Sequence, residues 1–303
     1  MSAGPGAWQG PSTRQVEQRS VRPREEESMV RLRRVDLFGP VEFLRASHRA
    51  HAYPRHSHDE FVIAAMTRGI EALRHTRGLD HVSAGSLILL NPGDVHSNHS
   101  IDRSGFAYRT AYVSPEVVSR MLSEGSQCGM RSPVFQRPVI SEPSVYRMIL
   151  RLHDAVDATE SRLVQEALLV KVVAFLFRIN GSLDAAPAGR NTEPARLREV
   201  RDYIDANLGS GVSLGTLSSL TGLSPFQLVN EFRRVFGIPP HQYQLNGRLS
   251  LARRLLRGGM PISDVAIETG FSDQSHLTRH FKKFLGLTPG QFLGTRKNVQ
   301  DRV

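Results

Sequence analysis

The sequence lacks most of the features that mark secreted, membrane-spanning or cysteine-built metal proteins. Cys128 is the only cysteine among 303 residues, which excludes an intramolecular disulfide and a zinc site made of cysteines. No run approaches the roughly 18 apolar residues that span a bilayer, and the first 28 residues contain no apolar stretch of the kind a secretory signal needs. We therefore expect a cytoplasmic protein with no membrane partner.

The sequence has fewer acidic than basic residues. The chain has 39 lysines and arginines against 29 aspartates and glutamates, giving a net charge of +10. From Pro194 onward the counts are 15 and 8, so seven of those ten net charges lie in the last third. This excess favours a polyanionic partner such as nucleic acid, although a basic surface alone also fits a protein that binds none.

Composition and hydrophobic periodicity divide the chain into six segments. The first is rich in Gly, Pro, Gln, Ser and charge, which favours disorder. The second is cut by glycines at intervals of 7 to 9 residues and predicts the short strands of a β-sandwich or small barrel. The predicted fold is α+β and multidomain. Its segments are a disordered start (1–28), a barrel (29–141), a helical pair (142–180), a linker (181–194), a helical domain (195–293) and a basic tail (294–303).

The second helix of the pair carries a heptad seam, a repeat of apolar residues spaced alternately four and three apart. Its members are Leu163, Ala167, Val170, Ala174 and Phe177. Such a seam is typical of helices that pair with another helix. Two interpretations stay open, packing onto the barrel and pairing with a second subunit in a homodimer, and both can hold together.

The last third contains an internal repeat. "TGLSPFQLVNEFRRVFGIPPHQY" (221–243) matches "TGFSDQSHLTRHFKKFLGLTPGQF" (269–292) at nine positions, with one single-residue offset. Each copy predicts a short helix, a glycine turn and a second helix, which together form a helix-turn-helix. Ser272 is the expected N-cap of the last of these helices. Between the copies, one continuous helix is predicted, which would hold the two modules about one turn of DNA apart, roughly 34 Å.

The second helix of each copy has a core face and an outward face. In the second copy Leu277, Phe281 and Phe284 lie within about 60° of one another and are predicted to be buried. An outward arginine suits guanine, an asparagine suits adenine, an apolar side chain suits the thymine methyl, and lysine suits phosphate. The outward or flanking candidates are Phe226, Val229, Asn230 and Arg233 in the first copy and Ser275, Thr278, Arg279 and Lys282 in the second.

At this point the chain resembles a known family. "ISDVAIETGFSDQSHLTRHFKKFLGLTP" closely resembles the signature of the AraC/XylS family of bacterial transcription regulators, and the likeness covers about residues 195–293. The resemblance implies double-stranded promoter DNA as partner, with RNA polymerase a further candidate. Asn230 departs from the pattern, since many members have arginine there. The family's base-contacting positions correspond to Phe226, Val229 and Asn230, and to Gln274, Ser275, Thr278 and Arg279.

The barrel segment resembles the effector-binding half of the same family. "YPRHSHDEFVIAAMTRG" (53–69) and "GSLILLNPGDVHSNHS" (85–100) look like two cupin motifs, so the resemblance implies a cupin-like barrel that holds an unknown small-molecule effector. Its candidate effector-binding residues are Arg55, His56, His58 and His96.

The same histidines raise the question of a metal. Alternate strand residues share a face, so His56 and His58 with His96 can offer three imidazoles to one ion. Metal-binding cupins usually add a glutamate a few residues after the histidine pair, where this chain has Val62 and Ile63. We therefore expect a metal-free barrel with no cofactor and no catalytic residues.

Two functions remain open. The favoured one is a sequence-specific transcription regulator whose promoter binding is controlled by a small molecule. The alternative is a cupin metalloenzyme fused to a DNA-binding module.

Overall fold

The structure is a computed structural model that describes residues 1, 29–49, 51–101, 104–123, 133–182 and 194–294. Cys128, the predicted disordered segment after Met1, most of the predicted linker and nearly all of the basic tail lie outside the described residues.

Antiparallel strands dominate the N-terminal half. They are β1 (Met29–Asp36), β2 (Pro40–His48), β3 (Ala52–His56), β4 (Phe61–His75), β5 (Gly78–Ser83), β6 (Leu87–Leu90), β7 (His96–Ser100), β8 (Phe106–Val113), β9 (Val134–Phe135), β10 (Val139–Ile140) and β11 (Gly181–Ser182). β11 pairs with β9, so the first two residues of the predicted linker form part of this half.

The long strand β4 joins the two halves of the sheet. Its first part pairs with β6 and β8, and after a register shift between Met66 and Arg68 its second part pairs with β5 and β7. Alternate residues of β4 face opposite sides. Ile63 and Ala65 pack in the core that also contains the helical pair, whereas Val62 and Ala64 face the interior of the strand domain. The N-terminal half is therefore a strand-rich domain with a lined interior, which confirms the predicted fold class.

Three helices belong to this half: α1 (Pro115–Ser123), α2 (Pro143–Asp157) and α3 (Arg162–Asn180). α3 packs inward through Leu169, Val172, Val173 and Leu176. The heptad seam lies on a different face, where Leu163 is 76% exposed and Ala167 and Ala174 are also exposed. Phe177, at the end of the seam, nevertheless packs against Phe61 and Phe135, so the strand domain covers this end of the seam.

The C-terminal half is all helical. Its elements are α4 (Ala195–Ala206), α5 (Leu214–Thr221), α6 (Pro225–Phe236), α7 (Pro240–Gly258), α8 (Ile262–Glu268), α9 (Gln274–Leu285) and α10 (Pro289–Gly294). α5–α6 and α8–α9 are the two helix-turn-helix modules, and α7 is the continuous connection predicted between them. Leu277, Phe281 and Phe284 are buried, as expected.

The start of α9 differs from the prediction in its capping residue. Asp273, not Ser272, is the N-cap: its carboxylate accepts a hydrogen bond of 2.7 Å from the backbone N–H of His276. The Ser272 hydroxyl instead donates to the carboxylate of Asp273. Both residue types cap helices well, and an aspartate also adds a negative charge that the helix dipole favours at this end.

Arg248 joins the connection between α4 and α5 to the turn of the second module. From α7 its guanidinium donates to the carbonyl oxygens of Leu208 (2.7 Å) and Ser210 (2.9 Å) after α4, and to that of Gly270 (2.8 Å) in the second module's turn. Gly270 has a φ of 75°, which glycine adopts at little cost. This planar fork of donors holds the α4–α5 connection against the turn of the second module.

The strand domain and the helical domain share one hydrophobic cluster. Leu32, Leu44 and Ala46 of β1 and β2 belong to the same buried group as Phe284 and Leu287 of the helical domain. The second helix-turn-helix is therefore in direct contact with the strand domain.

Candidate DNA-binding surface and barrel cavity

The outward faces of α6 and α9 form the candidate DNA-binding surface. Phe226 is 79% exposed, and Val229 and Thr278 are partly exposed. The remaining candidates are all exposed, and they are Asn230, Arg233, Gln274, Ser275, Arg279 and Lys282.

Three of these side chains are free to contact a partner. Within the described ranges, Asn230, Arg279 and Lys282 make no side-chain hydrogen bond and no ion pair. A well-formed N-terminus holds each helix in place, since the Ser224 hydroxyl and the Gln227 side chain form a capping box at α6. Rigid helices that present free polar and cationic groups on one face can enter a major groove and donate to base edges and phosphates.

A second site, the barrel cavity, lies inside the strand domain and measures about 60 Å³. β3, β4, β6, β7 and β8 supply most of its walls. The lining comprises Leu44, Tyr53, His56, His58, Val62, Ala64, Glu71, Leu73, Ile88, Leu90, His96, Asn98, Tyr108, Thr110, Tyr112, Phe284 and Leu285.

Three of the four predicted effector-binding residues meet in this cavity. His56 and His96 are directly opposite each other in the β3–β7 pairing, and His58 follows two residues after the end of β3. Ring centroids are 4.2 Å apart for His56 and His96, 4.8 Å for His56 and His58, and 5.2 Å for His58 and His96. Burial lowers the pKa of His56 to about 4 and the pKa values of His58 and His96 well below the ordinary value. At neutral pH all three imidazoles are uncharged.

The fourth predicted residue, Arg55, lies elsewhere. It is not among the residues that line the cavity. Its carbonyl oxygen accepts a hydrogen bond of 2.8 Å from the Gln242 side chain of α7, and its guanidinium lies near Gly237 at the end of α6. Arg55 therefore contributes to the contact between the two domains.

Several polar residues of the cavity were missed by the sequence analysis. Glu71 is buried and accepts a hydrogen bond of 2.8 Å from Asn98, and burial raises the pKa of its carboxyl to about 7 despite that bond. The hydroxyls of Tyr53 and Tyr108 are 3.0 Å apart. A period of two along each strand would have identified Asn98 from His96, whereas Glu71 lies beyond the register shift of β4 and has no such signal.

The helical domain closes one side of the cavity. Phe284 and Leu285, from the last turn of α9, are lining residues, and the ring of Phe284 lies edge-on to that of His56 at 6.4 Å. A side chain in the second helix-turn-helix thus touches the cavity wall directly.

Beside the cavity lies the interdomain ion cluster, defined by Arg34, Glu42, Glu60, Arg253 and Arg257. Arg253 of α7 is buried and donates to Glu60 at 2.9 Å and to Glu42 at 3.1 Å. Arg257 also donates to both carboxylates, and Arg34 donates to Glu42 at 2.6 Å. Burial alone would raise the pKa of Glu42, but Arg253 and Arg257 outweigh it and lower that pKa to about 2. Glu42 therefore keeps its negative charge in this buried position.

The families that match agree with this division. A family described as "AraC-like ligand binding domain" matches residues 38–173, and a family described as "Helix-turn-helix domain" matches residues 217–295. Within the described ranges no helix is both long and apolar enough to cross a membrane.

Individual relatives fit the same pattern. YbfI of Bacillus subtilis, named an uncharacterized HTH-type transcriptional regulator, is 30% identical over 226 residues, which are 74% of this chain and 81% of YbfI. The multiple antibiotic resistance protein MarA of Escherichia coli is 30% identical over 114 residues, 37% of this chain and 90% of MarA. The crystal structure of apo ToxT from Vibrio cholerae covers 88% of this chain and 97% of its own with a TM-score of 0.51 and 13% identity, a likeness of fold.

Proposed function

Because this chain belongs to the AraC family of helix-turn-helix transcriptional regulators, we propose that α6 and α9 read promoter DNA under the control of a small molecule held in the barrel cavity. The observation that supports the DNA contacts most strongly is the free outward face of both helices. Phe226 is the clearest case, since a phenylalanine left 79% exposed lacks the packing that normally holds such a ring.

We assign the two helices different parts of one DNA site. Arg279 reaches guanine through two parallel hydrogen bonds, with Gln274, Ser275 and Thr278 beside it near the start of α9. In α6 Asn230 contacts adenine, and Phe226 and Val229 contact thymine methyl groups. Arg233 and Lys282, one turn further along each helix, contact phosphates and position the helices without reading sequence.

Control by the effector follows from the walls of the cavity. A water molecule needs about 10–15 Å³ of such space, so a cavity of about 60 Å³ admits only a few water-sized groups. A larger molecule must push back a wall, and Phe284 and Leu285 of α9 are part of that wall. The effector therefore shifts the second recognition helix relative to the strand domain, because packed cores move by discrete steps.

We propose that the protein is a regulator rather than a cupin metalloenzyme fused to a DNA-binding module. Glu60, the glutamate nearest to the histidine pair in sequence, is held by Arg253 and Arg257 in the interdomain ion cluster. It serves the contact between domains instead of acting as a general base. YbfI is named as a transcriptional regulator, which supports the same view.

The remaining partners follow from promoter binding. The heptad seam of α3 is the surface we propose for a homodimer, because it is apolar and its residues Leu163, Ala167 and Ala174 are exposed. RNA polymerase is proposed as a partner because a regulator at a promoter acts on transcription through it. Both, with the cytoplasm as location, are consistent with a DNA-binding role.

Two matched substitutions on α9 test the assignment. Arg279→Ala should cost about 1–3 kcal/mol in binding to the preferred DNA and remove the preference at one base pair, because a base contact is lost. Lys282→Ala should weaken all sequences about equally and reduce the salt slope by about one. Both are measured on single-base variants of a preferred site at two salt concentrations. A base-preference profile that Arg279→Ala leaves unchanged would show that this residue does not read sequence.

A further inference from the structure

The three histidines of the barrel cavity are placed as ligands to a single ion. One ligand nitrogen from each of His56, His58 and His96 lies within 4.8 Å of the other two, and all three residues are buried. From this convergence we propose that the strand domain binds a divalent transition-metal ion through these three imidazoles, with Zn²⁺ the best fit. Ligand nitrogens around tetrahedral Zn²⁺ are about 3.3 Å apart at Zn–N distances of about 2.0–2.1 Å, so the rings must close in by roughly an ångström.

Backbone carbonyls fix the orientation of two of the rings. His56 Nδ1 lies 2.7 Å from the carbonyl oxygen of Pro54, and His96 Nδ1 lies 3.0 Å from that of Asp94. A carbonyl oxygen only accepts, so each Nδ1 holds the hydrogen and donates it. In a neutral ring Nε2 then has a free lone pair. A second nitrogen donating to a backbone carbonyl is the arrangement that metal-binding histidines usually show.

The free nitrogens have no other partner on the protein. Within the part of the chain that the structure describes, neither Nε2 of His56 nor Nε2 of His96 makes a hydrogen bond, and His58 makes none through either nitrogen. The three histidines line the barrel cavity, so one cation bound there can take a lone pair from each of them at the same time.

Neither neighbouring glutamate is available as the carboxylate ligand that metal-binding cupins usually have. Glu60 is paired with Arg253 and Arg257, and Glu71 accepts from Asn98, so the ligand set is three neutral nitrogens. Three imidazoles with an open position are an established donor set for Zn²⁺. The open position faces the barrel cavity, where Tyr53, Tyr108 and Tyr112 supply hydroxyls. If the proposed regulatory function holds, an effector with an oxygen donor would occupy it.

Metal titration of the full chain tests the site independently of DNA binding. Tag-free protein is stripped with EDTA and titrated with Co²⁺, whose visible absorption reports its ligands, and then with Zn²⁺ as competitor. We expect one Co²⁺ per chain, displaced by one Zn²⁺. His58→Ala and His96→Ala should weaken Co²⁺ binding by more than about 100-fold, beyond the 10–100-fold loss typical when a residue that only hydrogen-bonds to a metal ligand is changed.

His99→Ala is the matched control, because His99 lies on β7 three residues after His96 but is exposed. It should leave the affinity unchanged. Absence of stoichiometric binding by the unsubstituted protein would overturn the proposal, as would binding that the His58 and His96 substitutions leave intact. If those variants do not fold, X-ray absorption of the Zn²⁺-loaded chain decides: three imidazole nitrogens support the site, and fewer than three overturn it. DNA affinity of the same samples is measured separately, so failure of one proposal leaves the other standing.

Discussion

At the scale of single residues, the helical domain depends on a few groups that have no substitute. Gly270 is one of them, because it combines a left-handed backbone with close neighbours. A Cβ added there would lie 2.7 Å from the carbonyl oxygen of Gly209 and 2.8 Å from Nη2 of Arg248. This glycine in the turn after α8 thus also permits Arg248 to bind the turn and the α4–α5 connection together.

Replacement of this glycine should destabilise the protein. A residue other than glycine in the left-handed region costs about 1–3 kcal/mol, and the close contacts add to that cost, so we expect Gly270→Ala to lower the free energy of unfolding by at least about 1 kcal/mol. Gly258→Ala is the control, since Gly258 ends α7 with no atom within 4 Å of the added Cβ. It should stabilise by about 0.4–1 kcal/mol. Equal effects of both substitutions in urea denaturation would contradict this account of the turn.

At the scale of elements, α3 uses largely different residues for packing within its own chain and for the proposed contact with a second subunit. Its inward face uses Leu169, Val172, Val173 and Leu176, while the seam residues Leu163, Ala167 and Ala174 are exposed. An apolar stripe of this kind is unusual on a surface without a partner, and its heptad spacing suits a second copy of the same helix.

Charge on the seam should separate a homodimer into monomers. We expect the double substitution Leu163→Glu and Val170→Glu to halve the mass measured by sedimentation, because it buries like charges in the interface. Leu79→Glu is the control, since Leu79 is 46% exposed on β5, far from α3 in sequence. A wild-type chain that sediments as a monomer at micromolar concentration, or a dimer that the seam substitutions leave intact, would contradict the assignment.

The helices and strands also show which features could be predicted from the sequence alone. The repeat made α5–α6, α7 and α8–α9 predictable, because each module has its own glycine turn and apolar face. The convergence of His56, His58 and His96 was predictable from alternation along strands. Two features were not: Glu71 follows a register shift in β4, and Phe284 packs against a wall from the other domain. Long-range contacts of that kind leave no local periodicity in the sequence.

At the scale of the whole molecule, the contact between domains contains both a buried ion cluster and a shared hydrophobic cluster. Arg253 comes from the helix that connects the two modules, while Glu42 and Glu60 come from the strand domain. Its guanidinium also lies 5.9 Å from the ring centre of Tyr112, which lines the barrel cavity. A change in the cavity can therefore reach the DNA-binding domain through Arg253 as well as through Phe284.

Removal of that buried cation should weaken the joint stability of the domains. Arg253→Met leaves two buried carboxylates with fewer partners, and breaking a buried ion pair from one side costs about 3–5 kcal/mol. Arg254→Met removes the neighbouring cation, which is 55% exposed and lies 3.4 Å from Asp59. That exposed pair is worth about 0–1 kcal/mol. Urea denaturation of the full chain compares the two, and similar losses would mean that the ion cluster does not hold the domains together.

The central claim is that one chain reads one DNA site with two different helices. The most direct measurement is selection of preferred duplexes from a random pool by the full-length protein, repeated with Asn230→Ala and with Arg279→Ala. We expect a two-part sequence with centres about 10–10.5 base pairs apart, since each module enters its own major-groove segment. Asn230→Ala should relax one part only, and Arg279→Ala the other. A pool without sequence enrichment, or a single substitution that relaxes both parts, would contradict the account.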